Sequence, residues 1–199
     1  MKPGGQKTKG NAYERHIAAI FTEVYYSDGG GEFRRVPLSG GWDKRVAPGD
    51  VIPLRKYKNG EMVLDTSFPF LPIECKNYRD ANVKHFFSGL YSADSVIYDW
   101  ALQAWSDAQY SKKMPLVVFK LYRAKDITMI RGGDFGKLCE IFGNPKAKFF
   151  KLYQTTLAGE LLMPLIFILL SDFIDWIDWE VYKLKDSGRF IRSYLDKNE

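Results

Sequence analysis

Apolar positions recur along this chain in two rhythms. Tyr13, Ile17, Ile20, Phe21 and Val24 fall three and four residues apart, which draws one stripe down a helix. Asn11, with Glu14 three places on, has the capping-box pattern and predicts that the helix opens there. At ~100° per residue Glu14 lies on the edge of the stripe, able to reach inward. Trp100, Ala101, Ala104, Trp105 and Ala108 repeat the helical rhythm and predict a second helix over 95–109. Between the two helices the pattern turns extended. Residues 33–37 read as a short strand leading into Ser39-Gly40-Gly41, and Ala47-Pro48-Gly49-Asp50 is a turn that delivers Asp50 to the run Val51-Ile52-Pro53-Leu54. Asn59-Gly60 between Lys56-Tyr57-Lys58 and Met62-Val63-Leu64 predicts a hairpin. Residues 72–76 form a strand whose period of two sets Glu74 and Lys76 on one face, with Ile73 and Cys75 on the other. Residues 114–120 read as a buried strand and 127–130 as its neighbour. The order helix, strand, hairpin, strand, helix, strand predicts an α/β fold with a mixed central sheet flanked by helices.

After Arg131-Gly132-Gly133 the chain becomes richer in aromatic clusters. Met163-Pro164-Leu165-Ile166-Phe167 echoes Met114-Pro115-Leu116-Val117-Val118, an echo too short to be a repeat. Phe173, Trp176 and Trp179 alternate with Asp172, Asp175 and Asp178, which suits a surface helix with one aromatic face, acting as core extension or subunit contact.

Composition narrows the class without naming it. The 199 residues are 46% apolar and 27% charged, enough for one well-filled domain or one domain with an appendage. Two cysteines, Cys75 and Cys139, and two histidines, His16 and His85, supply neither a disulfide framework nor a zinc site. A reducing cytosol is expected, the host's cytoplasm if the source is a virus, and no export signal stands at residues 1–7. The longest apolar run, 161–170, is interrupted by Pro164 and reaches about half the length of a membrane span, so no membrane role is expected.

Charge changes the picture more. Residues 1–60 hold eleven Lys/Arg against six Asp/Glu, while 61–199 hold eighteen of each, so the whole excess of +5 sits in the first third. A basic lobe on a neutral body suits either a polyanion, most often nucleic acid, or a solvated basic face.

The chemistry lies in Asp50, Glu74 and Lys76. Two carboxylates converging at a sheet edge can hold Mg²⁺ through oxygen, with the backbone carbonyl of Cys75 as a further ligand. A metal there would polarise a phosphodiester and activate water, and Lys76 would supply a fixed cation. Asp65 is a rival for the first carboxylate, closer in sequence to Glu74.

Pro48-Gly49-Asp50 followed by Ile73-Glu74-Cys75-Lys76 resembles the PD-(D/E)XK nuclease signature. The segment Lys9-Gly10-Asn11-Ala12-Tyr13-Glu14-Arg15 and the segment Arg35-Val36-Pro37-Leu38-Ser39-Gly40-Gly41 are similar to the first helix and strand-loop of the archaeal-type Holliday junction resolvases of that superfamily. The similarity covers about residues 7–130. It implies a restriction-endonuclease-like fold and Mg²⁺-dependent hydrolysis of four-way DNA junctions, with Mn²⁺ as a substitute; the alternatives are a nuclease of linear duplex or single-stranded DNA, of restriction or repair type, and a non-catalytic module that binds branched DNA. By the same resemblance Asp50 and Glu74 are metal carboxylates, Lys76 is the catalytic lysine, and Glu14 stands beside the metal. Arg35 and Ser39 are placed near the scissile phosphate, Lys9 and Arg15 touch backbone, and Gln103 points into the site from the helix after the Glu-x-Lys strand. Lys44 and Arg45 join the expected DNA contacts. Two departures stand out: Gly49 in place of the usual Pro before Asp50, and a long hairpin between the carboxylates. Two opposed cuts with one site per chain imply a homodimer. The expected organisation is a mobile basic arm (1–10), a nuclease core (11–131) and a C-terminal extension (132–199).

Overall fold

A computed structural model describes residues 5–36, 48–78, 96–152 and 164–179. Within them, helix α1 (Gly5–Tyr25) is followed by β1 (Gly31–Arg35), β2 (Val51–Lys56), β3 (Met62–Leu64) and β4 (Phe70–Tyr78). Then come α2 (Val96–Ser111), β5 (Met114–Leu121), β6 (Ile127–Arg131), α3 (Gly132–Phe142), β7 (Phe149–Leu152), β8 (Leu165–Leu169) and α4 (Leu170–Trp176). The strands make one mixed sheet in the order β1-β2-β4-β5-β6-β8-β7, with β3 on β2. β4 and β5 are parallel; the other pairs are antiparallel. The expected α/β class and mixed sheet are therefore present.

Helices cover both faces, which explains why β5 is apolar at nearly every position. Its Leu116 and Val118 join a core with Ile17, Phe21 and Tyr25 of α1, Phe135 and Leu138 of α3, and Phe173 of α4. Its Val117 and Phe119 face the other way, onto Ile97, Ala101 and Ala104 of α2. The Asn59-Gly60 hairpin forms as its sequence predicts, pairing Leu54 with Leu64 and Lys56 with Met62, with Gly60 at φ +82°.

Two expectations need correction. The first helix starts at Gly5, not at Asn11, so residues 5–10, expected as an arm, form its first turns. Asn11 and Glu14 are not a capping box, because both side chains are taken by Arg35. The helix of the aromatic tail ends at Trp176, and Trp179 lies beyond it in the core.

Candidate active site

The site grows from a split in the sheet. β2 and β4 pair at a single position, Val51 with Ile73. From Leu54 onward β3 takes up that edge of β2, and in the other direction β2 has only just begun. Asp50 sits at this divide: its N–H donates to the Ile73 carbonyl (2.9 Å), and its carbonyl accepts from Val36 N–H (2.8 Å). Its side chain bends over β4, where Oδ2 accepts the Cys75 N–H at 2.8 Å. A carboxylate thus replaces a missing strand neighbour. Because the N–H and C=O of one strand residue point to the same side, the Cys75 carbonyl also lies on the Asp50 side of β4.

Gly49 makes this approach feasible. Its φ is +93°, and a Cβ there would stand 2.8 Å from both the N and O of Ile73. The conformation belongs to glycine and the space admits no side chain. Proline, locked at negative φ, does not fit this turn, which accounts for the first departure noted above.

Strand alternation carries Glu74 and Lys76 to the α2 face. Glu74 is 2% exposed, and its Oε2 accepts from Lys76 Nζ at 2.8 Å and from Gln103 Nε2 at 3.1 Å. Gln103 Oε1 in turn accepts from Lys76 at 3.1 Å. The three side chains close a ring, and its amide end can only point one way. Both bonds to Glu74 fall on Oε2, as the Cys75 bond falls on Oδ2 of Asp50, so among the described residues Oε1 and Oδ1 are left for a ligand.

From the other side of the sheet α1 presents Glu14, 7% exposed and ion-paired with Arg35 of β1. The same guanidinium donates to Asn11 Oδ1 at 2.9 Å. Burial raises the Glu14 carboxyl above the ordinary range; the Arg35 bond opposes this and the negative charge of Asp50 adds to it. Glu74 is raised for the same reasons, burial first and then Asp50, with Lys76 opposing. Burial alone would lower Lys76, but Glu74 and Asp50 outweigh it and hold the ammonium above its usual value. The buried Cys75 thiol is pushed well up by burial and by Asp50, Glu74 and Glu14. Glu14, Asp50, Glu74 and Lys76 therefore share one electrostatic neighbourhood around Cys75.

Of the remaining expected residues, Arg15 is exposed one position after Glu14 on α1. Lys9 belongs to α1, its side chain outside the described set; Ser39, Lys44, Arg45 and His85 lie outside the described residues. Asp65 is turned elsewhere: it accepts from Tyr26 Oη (2.6 Å), from the Ser67 N–H and from Arg55. Asp107, whose charge acts on Glu74, is a neighbour the sequence reading missed. Its signal was there, one helical turn after Gln103 on the same face.

The donor set suits a hard cation. Among the described residues no group of three or more His, Cys, Asp or Glu is arranged to hold a metal by itself, so a closed site of the zinc type is not built here. Two carboxylate oxygens and a backbone carbonyl, all oxygen, match Mg²⁺, which keeps waters and takes one or two carboxylates together with substrate phosphate.

This geometry meets the comparison with known families. A family model described as "Phage putative PDDEXK endonuclease" matches residues 5–160. The chain belongs to this PD-(D/E)XK family. The match runs from the first turn of α1 past β7, and so includes every described residue of the site. No curated protein and no solved structure gives a match. Members of the superfamily use divalent metal to cut DNA, and the family description specifies neither a branched substrate nor a dimer. No helix among the described residues is long and apolar enough to cross a membrane.

Proposed function

We propose that this PD-(D/E)XK endonuclease hydrolyses DNA phosphodiesters at the β2–β4 split and that its substrate is the four-way junction. The observation that supports the site is the bend of Asp50 onto the Cys75 amide, which sets its carboxylate beside the residue next to Glu74, close enough for its charge to act on the Glu74 carboxyl. Mg²⁺, or Mn²⁺ in its place, would be held by Oδ1 of Asp50, Oε1 of Glu74 and the Cys75 carbonyl, with Glu14 reaching it through water. When bound, the ion supplies charge for the phosphate and lowers the pKa of water.

The chain's own groups do the rest. Lys76 keeps its proton at neutral pH, so it acts as a fixed donor and cation, and general-base work falls outside its reach. Gln103 locks Lys76 and Glu74 against each other, sparing reorganisation during the reaction. Arg35, tied to Glu14 and Asn11, is a guanidinium set to meet a phosphate oxygen. In the reaction a water oxygen attacks phosphorus, the bond to O3′ breaks, the water's proton passes to solvent, and O3′ takes up a proton. The ends are 5′-phosphate and 3′-hydroxyl. Junction specificity rests on the resemblance of segments 9–15 and 35–41 to junction resolvases, and a homodimer would provide the two opposed cuts. Lys9, Arg15, Ser39, Lys44 and Arg45 are the proposed backbone contacts.

The test incubates the protein with Mg²⁺ and either a four-way junction or a linear duplex of matching sequence. Paired symmetric nicks in the junction alone are expected. Cutting of both substrates would overturn junction specificity, and binding without cutting would overturn the enzyme. Asp50→Asn and Glu74→Ala should each reduce cleavage by several orders of magnitude while junction binding in the absence of metal persists. Wild-type cleavage by either variant would refute the site.

A further inference from the structure

β4 and β5 run in register, Lys76 beside Phe119 and Tyr78 beside Leu121, so the turn after β5 emerges at the same end of the sheet as the site. This turn carries Tyr122, Arg123 and Lys125, all exposed, with Tyr122 at 48%. The Arg123 guanidinium lies 5.0 Å over the exposed Tyr122 ring, a cation–π contact. Among the described residues neither Arg123 nor Lys125 forms an ion pair. The turn's own acid, Asp126, is already occupied: it accepts from Tyr13 Oη (3.1 Å) and pairs with His16 (3.4 Å) and Lys120 (3.7 Å). The outward charge is therefore positive.

Two features mark the turn as more than a solvated loop. Asp126 fastens it to Tyr13 and His16 of α1, on either side of Glu14, so the cations are fixed relative to the site. Arg123 also sits at φ +56°, with the following N–H closing the turn onto Leu121 (3.1 Å). That backbone favours glycine, and a long cation there costs about 1 kcal/mol.

We propose that the β5–β6 turn is a DNA-backbone contact flanking the site, with Arg123 and Lys125 each on a phosphate. The inference rests on the endonuclease reading and adds a contact surface to it. Arg123 lies four positions past Phe119, the neighbour of Lys76; strand rise carries the chain about 7 Å to Leu121 before the turn closes, so the cation stands about two to three base pairs from the site along a duplex. The turn meets DNA to one side of the scissile bond.

The test compares wild type with Arg123→Gly, Arg123→Lys and the double variant Arg123→Gly/Lys125→Gln, using a fluorescent linear duplex and a four-way junction, without metal, over a salt series. Arg123→Gly should weaken binding about three- to tenfold and flatten the slope of log K against log salt by about one. The double variant should lose about two, and Arg123→Lys should keep most of both. Because glycine suits φ +56°, the melting temperature of Arg123→Gly should be unchanged or raised, separating lost contact from lost fold. With Mg²⁺, KM should rise while kcat holds. A double variant with wild-type affinity and slope would overturn the contact even if cleavage is normal. A wild type that neither binds nor cuts DNA would instead overturn the endonuclease reading.

Discussion

Glu74 answers to two opposed requirements. To hold a cation it must be ionised, yet burial and the neighbouring Asp50 favour its proton and lift it above the ordinary glutamate value of 4.5. In the metal-free protein the folded state therefore binds this proton more tightly than the unfolded chain. The resulting stabilisation is complete below the ordinary value and is lost as pH rises through the folded one. Glu14 shifts in the same direction, again chiefly through burial. In the metal-free protein Lys76 and Arg35 offset the negative charge that Glu74 and Glu14 carry when ionised, and a cation binding there stabilises the fold. Mg²⁺ at a hundred times its dissociation constant should add about 2.7 kcal/mol, seen as a rise in melting temperature at neutral pH. That rise should fade on acidification at a pH above 4.5, as Glu74 and Glu14 take up protons. Asp50→Asn should abolish it. A Mg²⁺-induced shift of equal size in neutral buffer and in buffer near the ordinary glutamate value would contradict the assignment.

At the scale of elements the decisive feature is the divide between β2 and β4, and Gly49 is its hinge. Gly49→Ala would force a side chain into φ +93° and set its Cβ 2.8 Å from backbone atoms of Ile73. The expected cost is about 2–4 kcal/mol in urea unfolding, and the Mg²⁺-dependent rise should shrink with it, since Asp50 is displaced. A variant with wild-type stability and wild-type metal response would refute this. Sequence alone revealed the strands up to β6, the Asn59-Gly60 hairpin and the shared face of Glu74 and Lys76, because each depends on spacing within a few residues, whereas β7, β8 and the helix Gly132–Phe142 were not read from it. It also put Gln103 on the right helix through resemblance. The Arg35 bridge to Glu14 and Asn11 was hidden, since it joins residues more than twenty positions apart and the local pattern of Asn11 and Glu14 pointed to a cap. Asp65 looked a fair rival until Tyr26, Ser67 and Arg55 were seen to claim it. In each case the missing information was which strand lies beside which, a long-range fact that periodicity does not encode.

Across the whole molecule, the C-terminal segment is bound into the elements that make the site. β8 lies inside the sheet, between β6 and β7, and α4 follows it directly. Beyond α4, Trp179 stacks on Phe68 (5.9 Å, 7°) and meets Phe21 and Tyr25 of α1 and Phe70 of β4 edge-on. One ring thus wedges the helix carrying Glu14 against the approach to the strand carrying Glu74. Aromatic pairs of this kind add about 0.5–1.5 kcal/mol each beyond the area they bury, and a cavity of indole size in a packed core is not closed by relaxation. Trp179→Ala should therefore cost about 3–5 kcal/mol, measured as a lower urea midpoint. Trp179→Phe, which keeps a ring against Phe68, should recover much of that loss. The residual effect on cleavage should follow the folded fraction, because Trp179 touches none of the site's polar groups. If Trp179→Ala unfolded at the wild-type midpoint, the aromatic wedge would not be holding α1 to β4, and the placement of Glu14 beside Asp50 would need another cause.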